Sequence, residues 1–241
     1  MSVTGRYREA WEGFWREAPE EPGAVFRDAE PALTVARHLA LFAPHLSDPG
    51  LPLVDLGCGN GTRTRFLADR FPRVLGADLS AAALDRARRA DPAGRAAYRH
   101  LDAAEKSATR ALHGEIGDAN VHVRGVLHQR EADDRQPLVD GIATLVGERG
   151  RAFLVEPSRA AGAVLKGLAA GPGGPPPKLA PVLRHGIAPG EVDDAAVPEF
   201  PTAAGLTVTA GGTLPLTTTE HGPGGVRIVL PSVWYVAGRA A

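Results

Sequence analysis

The sequence predicts a doubly wound α/β fold, in which helices cover both faces of a mainly parallel sheet. Between residues 51 and 156, short apolar runs alternate with stretches of helical periodicity, as in parallel strands that are buried on both faces. A glycine-rich turn directly follows the first apolar run, and acidic residues end the next two. Ligands of such folds bind at the carboxyl edge of the sheet, so the turn and the acids predict a binding crevice there.

Five strands and four helices are predicted in this region. The strands are residues 51–56, 74–78, 97–102, 119–126 and 151–156. The helices lie around residues 63–70, 81–90, 107–113 and 137–146. Because helices separate successive strands, the connections are crossovers and the strands run parallel.

The first 50 residues are predicted to form a helical cap or lid. Four aromatic residues recur at spacings of i, i+4, i+7 and i+8, which places them on one face of a helix: Tyr7, Trp11, Phe14 and Trp15. We assign these four to the substrate side of the crevice, with plain core packing as the alternative. A second helix is expected over residues 31–42. The turn before it, at residues 26–30, either passes near the crevice or caps that helix.

Residues 51–241 are predicted to form the ligand-binding domain. The alternation stops after the fifth strand, and we interpret residues 157–204 as an insertion on the substrate side. A solvent-exposed flexible excursion is the alternative, and we favour it for residues 171–177. The GPGGPPP segment within it, at residues 171–177, excludes regular helix and central strand, so a loop is expected. Two β-rich runs, 206–216 and 226–236, are joined by turn residues and predict a C-terminal antiparallel hairpin.

Charge, cysteine content and hydropathy exclude several classes of protein. The net charge of -1 and the lack of a dominant basic stretch argue against a nucleic-acid partner. Cys58 is the only cysteine, so an intrachain disulfide is impossible and a reducing cytoplasm is favoured. No apolar run reaches the roughly 18 residues of a membrane span. We expect a cytoplasmic protein without a membrane partner, either a monomer or a weak homodimer.

The glycine-rich turn has the sequence VDLGCGNGT, with glycines at positions 57, 59 and 61. Glycine permits positive φ and lets a ligand approach the backbone, while the start of the next helix offers free amide donors. The G-x-G-x-G spacing differs from the G-x-G-x-x-G of dinucleotide-binding folds, and the sequence has no G-x-x-x-x-G-K-[ST] phosphate loop. Nicotinamide cofactors and nucleoside triphosphates are therefore disfavoured.

Two further acids end the second and third strands. Asp78, in GADLS, lies 21 residues beyond Gly57, where a carboxylate can accept both hydroxyls of a ribose. Asp102, in HLDA, ends the third strand. Because the carboxyl ends of parallel strands meet at one edge of the sheet, the turn and both acids converge on one crevice.

These three motifs, VDLGCGNGT, GADLS and HLDA in that order, resemble the core of the class I S-adenosylmethionine-dependent methyltransferase family. The resemblance covers about residues 51–156. It implies a Rossmann-like sheet of seven strands, two of which come from the C-terminal hairpin, and it implies S-adenosylmethionine as the cofactor.

The resemblance also implies a cofactor site. Its residues would be Gly57, Gly59 and Asn60 for the methionine part, Asp78 for the ribose, and Asp102 with Ala103 for the adenine. The predicted set is completed by Asp55, Cys58, Leu79 and Arg124.

The fourth strand carries polar residues, although a central parallel strand is normally apolar. An unpaired buried charge is costly, so we expect Arg124 either to pair with a carboxylate or, as we favour, to point into the crevice.

His128 follows the strand, where a neutral imidazole can remove a proton from a substrate hydroxyl. The segment VRGVLHQRE resembles the strand end of small-molecule O-methyltransferases with such a base, although Gln129 and Arg130 replace the usual acid and aromatic. A hydrogen-bonded structural histidine is the alternative.

The predicted function is methyl transfer from S-adenosylmethionine to a small molecule, with O-methylation in specialised metabolism favoured. The Asn-Pro-Pro-aromatic or Asp-Pro-Pro-aromatic tetrapeptide that many N-methyltransferases carry does not follow the fourth strand, which favours oxygen or carbon acceptors. The sequence has no compact set of acids and histidines at ligand spacing, so no metal is expected. The alternatives are a related fold that catalyses a non-methylating reaction such as cyclisation, and a non-enzymatic binding protein.

Overall fold

The computed structural model describes residues 3–171, 173–187 and 192–240. Its strands are β1 (Leu53–Leu56), β2 (Val74–Asp78), β3 (Ala97–His100), β4 (Asn120–Arg124), β5 (Ala152–Pro157), β6 (Thr207–Thr213), β7 (Leu216–His221), β8 (Arg227–Leu230) and β9 (Ser232–Gly238). The described helices are α1 (Val3–Glu17), α2 (Val35–Phe42), α3 (Thr62–Ala68), α4 (Ala81–Ala90), α5 (Lys106–Ile116), α6 (Ala132–Val146), α7 (Arg159–Ala169), α8 (Ala180–Arg184) and α9 (Glu199–Ala203). Residues 172 and 188–191, which fall in the predicted insertion, lie outside the described residues.

Seven strands form one sheet in the order β3-β2-β1-β4-β5-β9-β6. The five strands from β1 to β5 pair in parallel, which confirms the doubly wound sheet. Every residue of the central strands β1 and β4 is buried, while β3 lies at the edge and exposes Arg99 and His100. The strand order reverses between β1 and β4, so the loops after these strands diverge and leave a crevice at the carboxyl edge.

The C-terminal runs pair antiparallel as predicted, but in two separate sheets. The inner halves pair as β6 with β9, and β9 lies between β5 and β6 in the main sheet. Proline then interrupts both runs at the same level, at Pro215 and Pro231, and the outer halves pair separately as β7 with β8. Because proline has no amide hydrogen to donate to a ladder, pairing in the main sheet ends there.

Hydrophobic cores cover both faces of the sheet. One core combines Phe14 and Phe26 of the N-terminal part with Trp234 of β9. The other packs α6 against β4 and β5. The N-terminal aromatics therefore share a core with the sheet, and α1 also packs on α4. The division into a cap of residues 1–50 and a domain of residues 51–241 stays a prediction. Among the described residues, no helix is both long and apolar enough to cross a membrane.

Candidate active site

A cavity opens at the carboxyl edge of the sheet, where the loops after β1 and β4 diverge. Most of the predicted site residues line it: Tyr7, Trp11, Phe14, Trp15, Gly57, Cys58, Gly59, Asn60, Asp78, Leu79, Ala103 and Arg124. The predicted residues that do not line it are Asp55, Asp102 and His128.

The glycine turn takes a backbone conformation that side chains rarely adopt. Gly57, Gly59 and Gly61 have φ angles of 73°, 56° and 75°, and every described residue with positive φ is a glycine. A Cβ on Gly57 would lie 2.5 Å from Cγ2 of Val126, and one on Gly59 would lie 2.7 Å from Cζ2 of Trp15. Both the conformation and the closeness of the cavity wall therefore require glycine here.

Asp78 ties the glycine turn to the end of β2. Its Oδ2 accepts a hydrogen bond from the Gly59 amide at 2.8 Å, and its Oδ1 accepts one from the Ser80 amide at 2.9 Å. Burial raises the pKa of this carboxyl above its ordinary value, although the backbone hydrogen bonds oppose the shift. Each carboxylate oxygen can accept more than one hydrogen bond, so Asp78 can hold the turn and the hydroxyls of a ribose together.

Asp55 lies beneath the turn, at 1% exposure. Its Oδ2 accepts a hydrogen bond from the Thr64 hydroxyl at 2.7 Å, and its Oδ1 lies 2.9 Å from Nδ1 of His122. His122 in turn lies 3.0 Å, through Nε2, from Nδ1 of His38. Burial opposes ionisation, but the hydrogen bonds from His122 and Thr64 hold the pKa of Asp55 below its ordinary value. Asp55 therefore supports the turn from the core, and its predicted contact with the cofactor stays a prediction.

Asp102 joins three segments at the end of β3. Its Oδ1 accepts hydrogen bonds from the Arg130 guanidinium at 2.8 Å and from the Ala104 amide at 3.0 Å. Its Oδ2 lies 3.4 Å from the guanidinium of Arg8 on α1. Ala103, the next residue, lines the cavity. Asp102 thus links α1 to the loop after β4 from behind the cavity wall.

His128 lies in a short 3₁₀ turn after β4 and is 2% exposed. Its Nδ1 lies 2.7 Å from Oε2 of Glu156, a carboxylate that also accepts hydrogen bonds from the amides of Val126 and Leu127. Its Nε2 lies 2.7 Å from the side-chain amide of Gln129. Burial lowers the pKa of His128 below its ordinary value, although Glu156 opposes the shift. A substrate can reach Nε2 only if the Gln129 side chain moves, so the role of general base stays a prediction.

Four arginines line the cavity. Arg130 is paired with Asp102, and we call the other three the arginine cluster: Arg27, Arg63 and Arg124. Arg124 donates a hydrogen bond to the Arg27 carbonyl at 3.1 Å, and Arg63 donates one to the Gly57 carbonyl at 3.3 Å. The Arg27 guanidinium lies 3.4 Å from Nε2 of His128. Burial lowers the pKa of Arg27 to about 10 and that of Arg124 to about 9, and the neighbouring arginines lower the latter further. Arg124 therefore lines the crevice, as expected, whereas Arg27 and Arg63 were not predicted.

Asp28, on the loop before α2, reaches the glycine turn. Its Oδ2 accepts hydrogen bonds from the side-chain amide of Asn60 at 2.7 Å and from the Thr62 hydroxyl at 3.0 Å. Its Oδ1 is buried and has no hydrogen-bond partner in the described part of the chain. The turn at residues 26–30 therefore passes beside the cavity. Asp28 contacts residues more than 30 positions away, so local sequence spacing gave little signal of its place.

The aromatic face of α1 forms one wall of the cavity. The rings of Trp11 and Phe14 pack edge to face with centroids 5.5 Å apart, and those of Phe14 and Trp15 lie 5.3 Å apart. Phe14 and Trp15 are buried, while Tyr7 and Trp11 are partly exposed. Phe14 and Trp15 thus belong to the core and also line the cavity. Contact of the aromatic face with a substrate stays a prediction.

Glu12, on the same helix, attaches α1 to the N-terminus of α4. Its Oε2 accepts hydrogen bonds from the Ser80 hydroxyl at 2.7 Å and from the Ala82 amide at 3.2 Å. Ser80 also accepts a hydrogen bond from the Ala83 amide, as the N-cap of α4. This attachment lies two residues from Asp78, so α1 is fixed next to the predicted ribose site.

Comparisons with known proteins agree with this geometry. A family model described as a methyltransferase domain matches residues 53–150, which contain the glycine turn, Asp78 and Asp102. The crystal structure of a SAM-dependent methyltransferase from Anabaena variabilis ATCC 29413 is 30% identical, with a TM-score of 0.89, covering 97% of this chain and 95% of that chain. The chain belongs to the S-adenosylmethionine-dependent methyltransferases.

Two more distant structures share the fold of this methyltransferase. One, from work on the conversion of a disulfide bond into a thioacetal group in echinomycin biosynthesis, is 17% identical, with a TM-score of 0.68 and coverage of 96% of this chain and 92% of that chain. The other, magnesium protoporphyrin IX methyltransferase from Synechocystis PCC 6803 with bound SAH, is 18% identical, with a TM-score of 0.59 and coverage of 99% and 95%. At these identities the likeness establishes the fold alone. A search of curated protein sequences finds no match.

The cavity of this methyltransferase fits S-adenosylmethionine. Asp78 retains acceptor capacity for ribose hydroxyls, and the apolar Leu79 and Ala103 suit a flat adenine ring. The partnerless Oδ1 of Asp28 suits the ammonium group of the methionine part. In the described residues, no group of three His, Cys, Asp or Glu side chains is placed to hold a metal ion.

Proposed function

We propose that this methyltransferase methylates an oxygen atom of a small-molecule acceptor. The observation that supports a small-molecule acceptor is the apolar wall of the cavity next to the glycine turn, while the segment around His128 favours oxygen as the acceptor atom. The aromatic face of α1 supplies most of this wall, together with Val25 and Val182. Walls of this kind suit a small apolar body. The net charge of -1 provides no general attraction for a nucleic acid.

In this proposal, the chain contributes mainly alignment and exclusion of water. S-adenosylmethionine supplies a methyl group that its sulfonium already activates. The glycine turn and Asp78 hold the cofactor, and the end of β4 with Gly125 and Val126 faces the acceptor. Holding two reactants in contact removes most of the entropic cost of their meeting. The aromatic rings of α1 keep water away from the place of transfer.

The proton of an acceptor hydroxyl needs a base, and the buried position of His128 restricts how it can serve. Its Nε2 is engaged by Gln129, and its Nδ1 by Glu156. His128 contacts a hydroxyl directly once the Gln129 side chain has turned away. With Gln129 in its present place, His128 fixes the loop after β4. An acceptor that is already ionised needs no base.

Turnover with a panel of small phenols, alcohols and carboxylic acids tests the proposal. We expect S-adenosylhomocysteine in a one-to-one ratio with a product whose new methyl group has the NMR shift of a methoxy group. A methyl group on nitrogen, carbon or sulfur would contradict O-methylation. A product that forms without S-adenosylhomocysteine would indicate a non-methylating reaction such as cyclisation and would contradict methyl transfer.

A further inference from the structure

The arginine cluster has Nε donors that nothing in the described part of the chain satisfies. Each of Arg27, Arg63 and Arg124 has a buried Nε without a partner among the described residues. Arg124 is the last residue of the central strand β4 and is 9% exposed. A buried guanidinium with unused donors is costly, and natural proteins usually pair such a group. The three residues line the cavity, so their guanidinium groups are placed beside a bound ligand.

The nearby carboxylates do not pair with the cluster. Glu156 accepts hydrogen bonds from backbone amides after β4, Asp78 accepts them from two other amides, and Asp28 binds side chains of the glycine turn and α3. Within the described residues, no carboxylate oxygen lies within 4 Å of a guanidinium nitrogen of the cluster, since none of these arginines forms a salt bridge. Each of the three carboxylates thus has hydrogen-bond donors other than the cluster, although Oδ1 of Asp28 is without a partner among the described residues.

The cofactor does not balance the cluster either. S-adenosylmethionine carries one carboxylate, but its ammonium and sulfonium groups make its net charge positive. Arg63 donates to the glycine turn, where the methionine part is expected, so it is the member of the cluster best placed for that carboxylate. Arg27 and Arg124 then have no carboxylate in direct contact among the described residues, although Glu156 is near enough to raise the pKa of both against the effect of burial.

We propose that Arg27 and Arg124 bind a carboxylate of the acceptor, which is therefore a small apolar carboxylic acid in its ionised form. The inference rests on the proposed function. Guanidinium groups match the planar geometry of a carboxylate with two parallel hydrogen bonds. The Arg27 guanidinium also lies over the Trp11 ring, 5.9 Å from its centroid, so the anion site adjoins the aromatic wall. The carboxylate of the acceptor would thus bind the arginines while its apolar part packs against the adjacent aromatic wall.

Binding of matched probes to protein saturated with S-adenosylhomocysteine tests this inference, because the product fills the cofactor's own carboxylate site. The probes are 4-fluorobenzoate, the neutral 4-fluorobenzamide, and 4-fluorophenyl phosphate, titrated by fluorine NMR. We expect the benzoate to bind about tenfold more tightly than the amide or better, as hydrogen bonds between charged groups do. Arg27→Gln and Arg124→Gln should each remove most of this preference.

The matched control is Arg110→Gln, which removes the same charge from an exposed position on α5 and should keep the preference. Affinity for S-adenosylhomocysteine, measured on every variant, should stay within about threefold of the unmodified protein. If Arg124→Gln does not fold, Arg27→Gln carries the test. Arg124→Lys then adds a second readout. Lysine keeps the positive charge but cannot form the two parallel hydrogen bonds of a guanidinium, so the variant should lose part of the preference for the benzoate.

Several results would overturn the inference. Equal binding of the acid and the amide would do so, as would a preference that survives in both Arg27→Gln and Arg124→Gln. Tighter binding of the phosphate would overturn the assignment to a carboxylate. An Arg124→Gln variant that loses the product but keeps the benzoate preference would assign Arg124 to the cofactor. Failure of the unmodified protein to bind S-adenosylhomocysteine would be a different outcome, since it would count against the proposed function itself.

Discussion

The two sides of the cavity are built in different ways. On the proposed cofactor side, Gly59 and Asp78 are 19 positions apart in the chain, and the Gly59 amide donates a hydrogen bond to the Asp78 carboxylate where adjacent strands end. On the opposite side, Arg27 meets Arg124 and His128 across 97 and 101 positions. The cofactor side thus depends on one turn and its neighbouring strand. The proposed acceptor side depends on the packing of distant segments.

The largest effect is expected on the cofactor side, from Gly59→Ala. The turn holds this position at positive φ, which alanine rarely adopts, and the added Cβ would collide with the Trp15 ring. We therefore expect affinity for S-adenosylhomocysteine to fall by about tenfold or more. Calorimetry measures this affinity. The matched control is Gly94→Ala, which has a φ of 61° and open space around its Cβ. Both variants should lose about 1–3 kcal/mol of folding free energy, but only Gly59→Ala should lose the ligand. Equal affinities in the two variants would contradict a close wall at Gly59.

On the acceptor side, His128→Ala is expected to lower turnover while affinity for S-adenosylhomocysteine persists. If the imidazole is the base, kcat falls by about a hundredfold or more. Only the neutral ring accepts a proton, and the pKa of His128 is lowered by burial, so activity should be lost as the pH falls through a midpoint below 6.5. The measurement is kcat against pH for both proteins. A variant that keeps the same pH profile would leave His128 as a positioning residue, and unchanged turnover would remove the base role.

The helix between the two sides should show a smaller effect. Glu12→Ala removes the acceptor for Ser80 and Ala82, which is worth about 1 kcal/mol at a helix N-terminus, so S-adenosylhomocysteine should dissociate several-fold faster. Stopped-flow fluorescence measures this rate. Glu9→Ala, an exposed change on the same helix, serves as the control. Equal dissociation rates in both variants would show that α1 does not retain the ligand.

The smallest effect is expected away from the cavity wall, at the pair of Glu30 and Arg227. The hydrogen bond from Arg227 lowers the pKa of Glu30 to about 2. A carboxyl whose pKa is depressed by folding stabilises the fold above its unfolded pKa of about 4.3, and this contribution is lost as the pH falls towards 2. Because Glu30 is 60% exposed, Arg227→Gln should cost at most about 0.5 kcal/mol at pH 7. Denaturation at pH 7 and NMR titration of Glu30 measure both effects, and a larger loss would mean that this pair supports more than a surface contact.

The same contrast explains what could be predicted from the sequence. The parallel strands, the glycine turn and Asp78 follow from patterns within a few dozen residues, and the structure has them where they were expected. Arg124 was assigned to the crevice because a charge on a central strand needs a partner or a cavity. Arg27 and Arg63 carry no local signal, since only tertiary packing brings them to the end of β4. The sheet of β7 and β8 was missed for a similar reason, because Pro215 and Pro231 are adjacent only once the two runs have paired.

The buried chain of Asp55, His122 and His38 beneath the turn has a consequence for stability in acid. Burial holds the pKa of His38 well below its ordinary value, so protonation favours the unfolded chain once the pH falls below about 6.5. Asp55 has a lowered pKa, so its contribution is present above the unfolded pKa of about 3.9 and is lost as the pH falls through its folded value. Both losses occur directly under the glycine turn, where we expect the cofactor to bind. Acid therefore weakens the fold directly beneath the glycine turn.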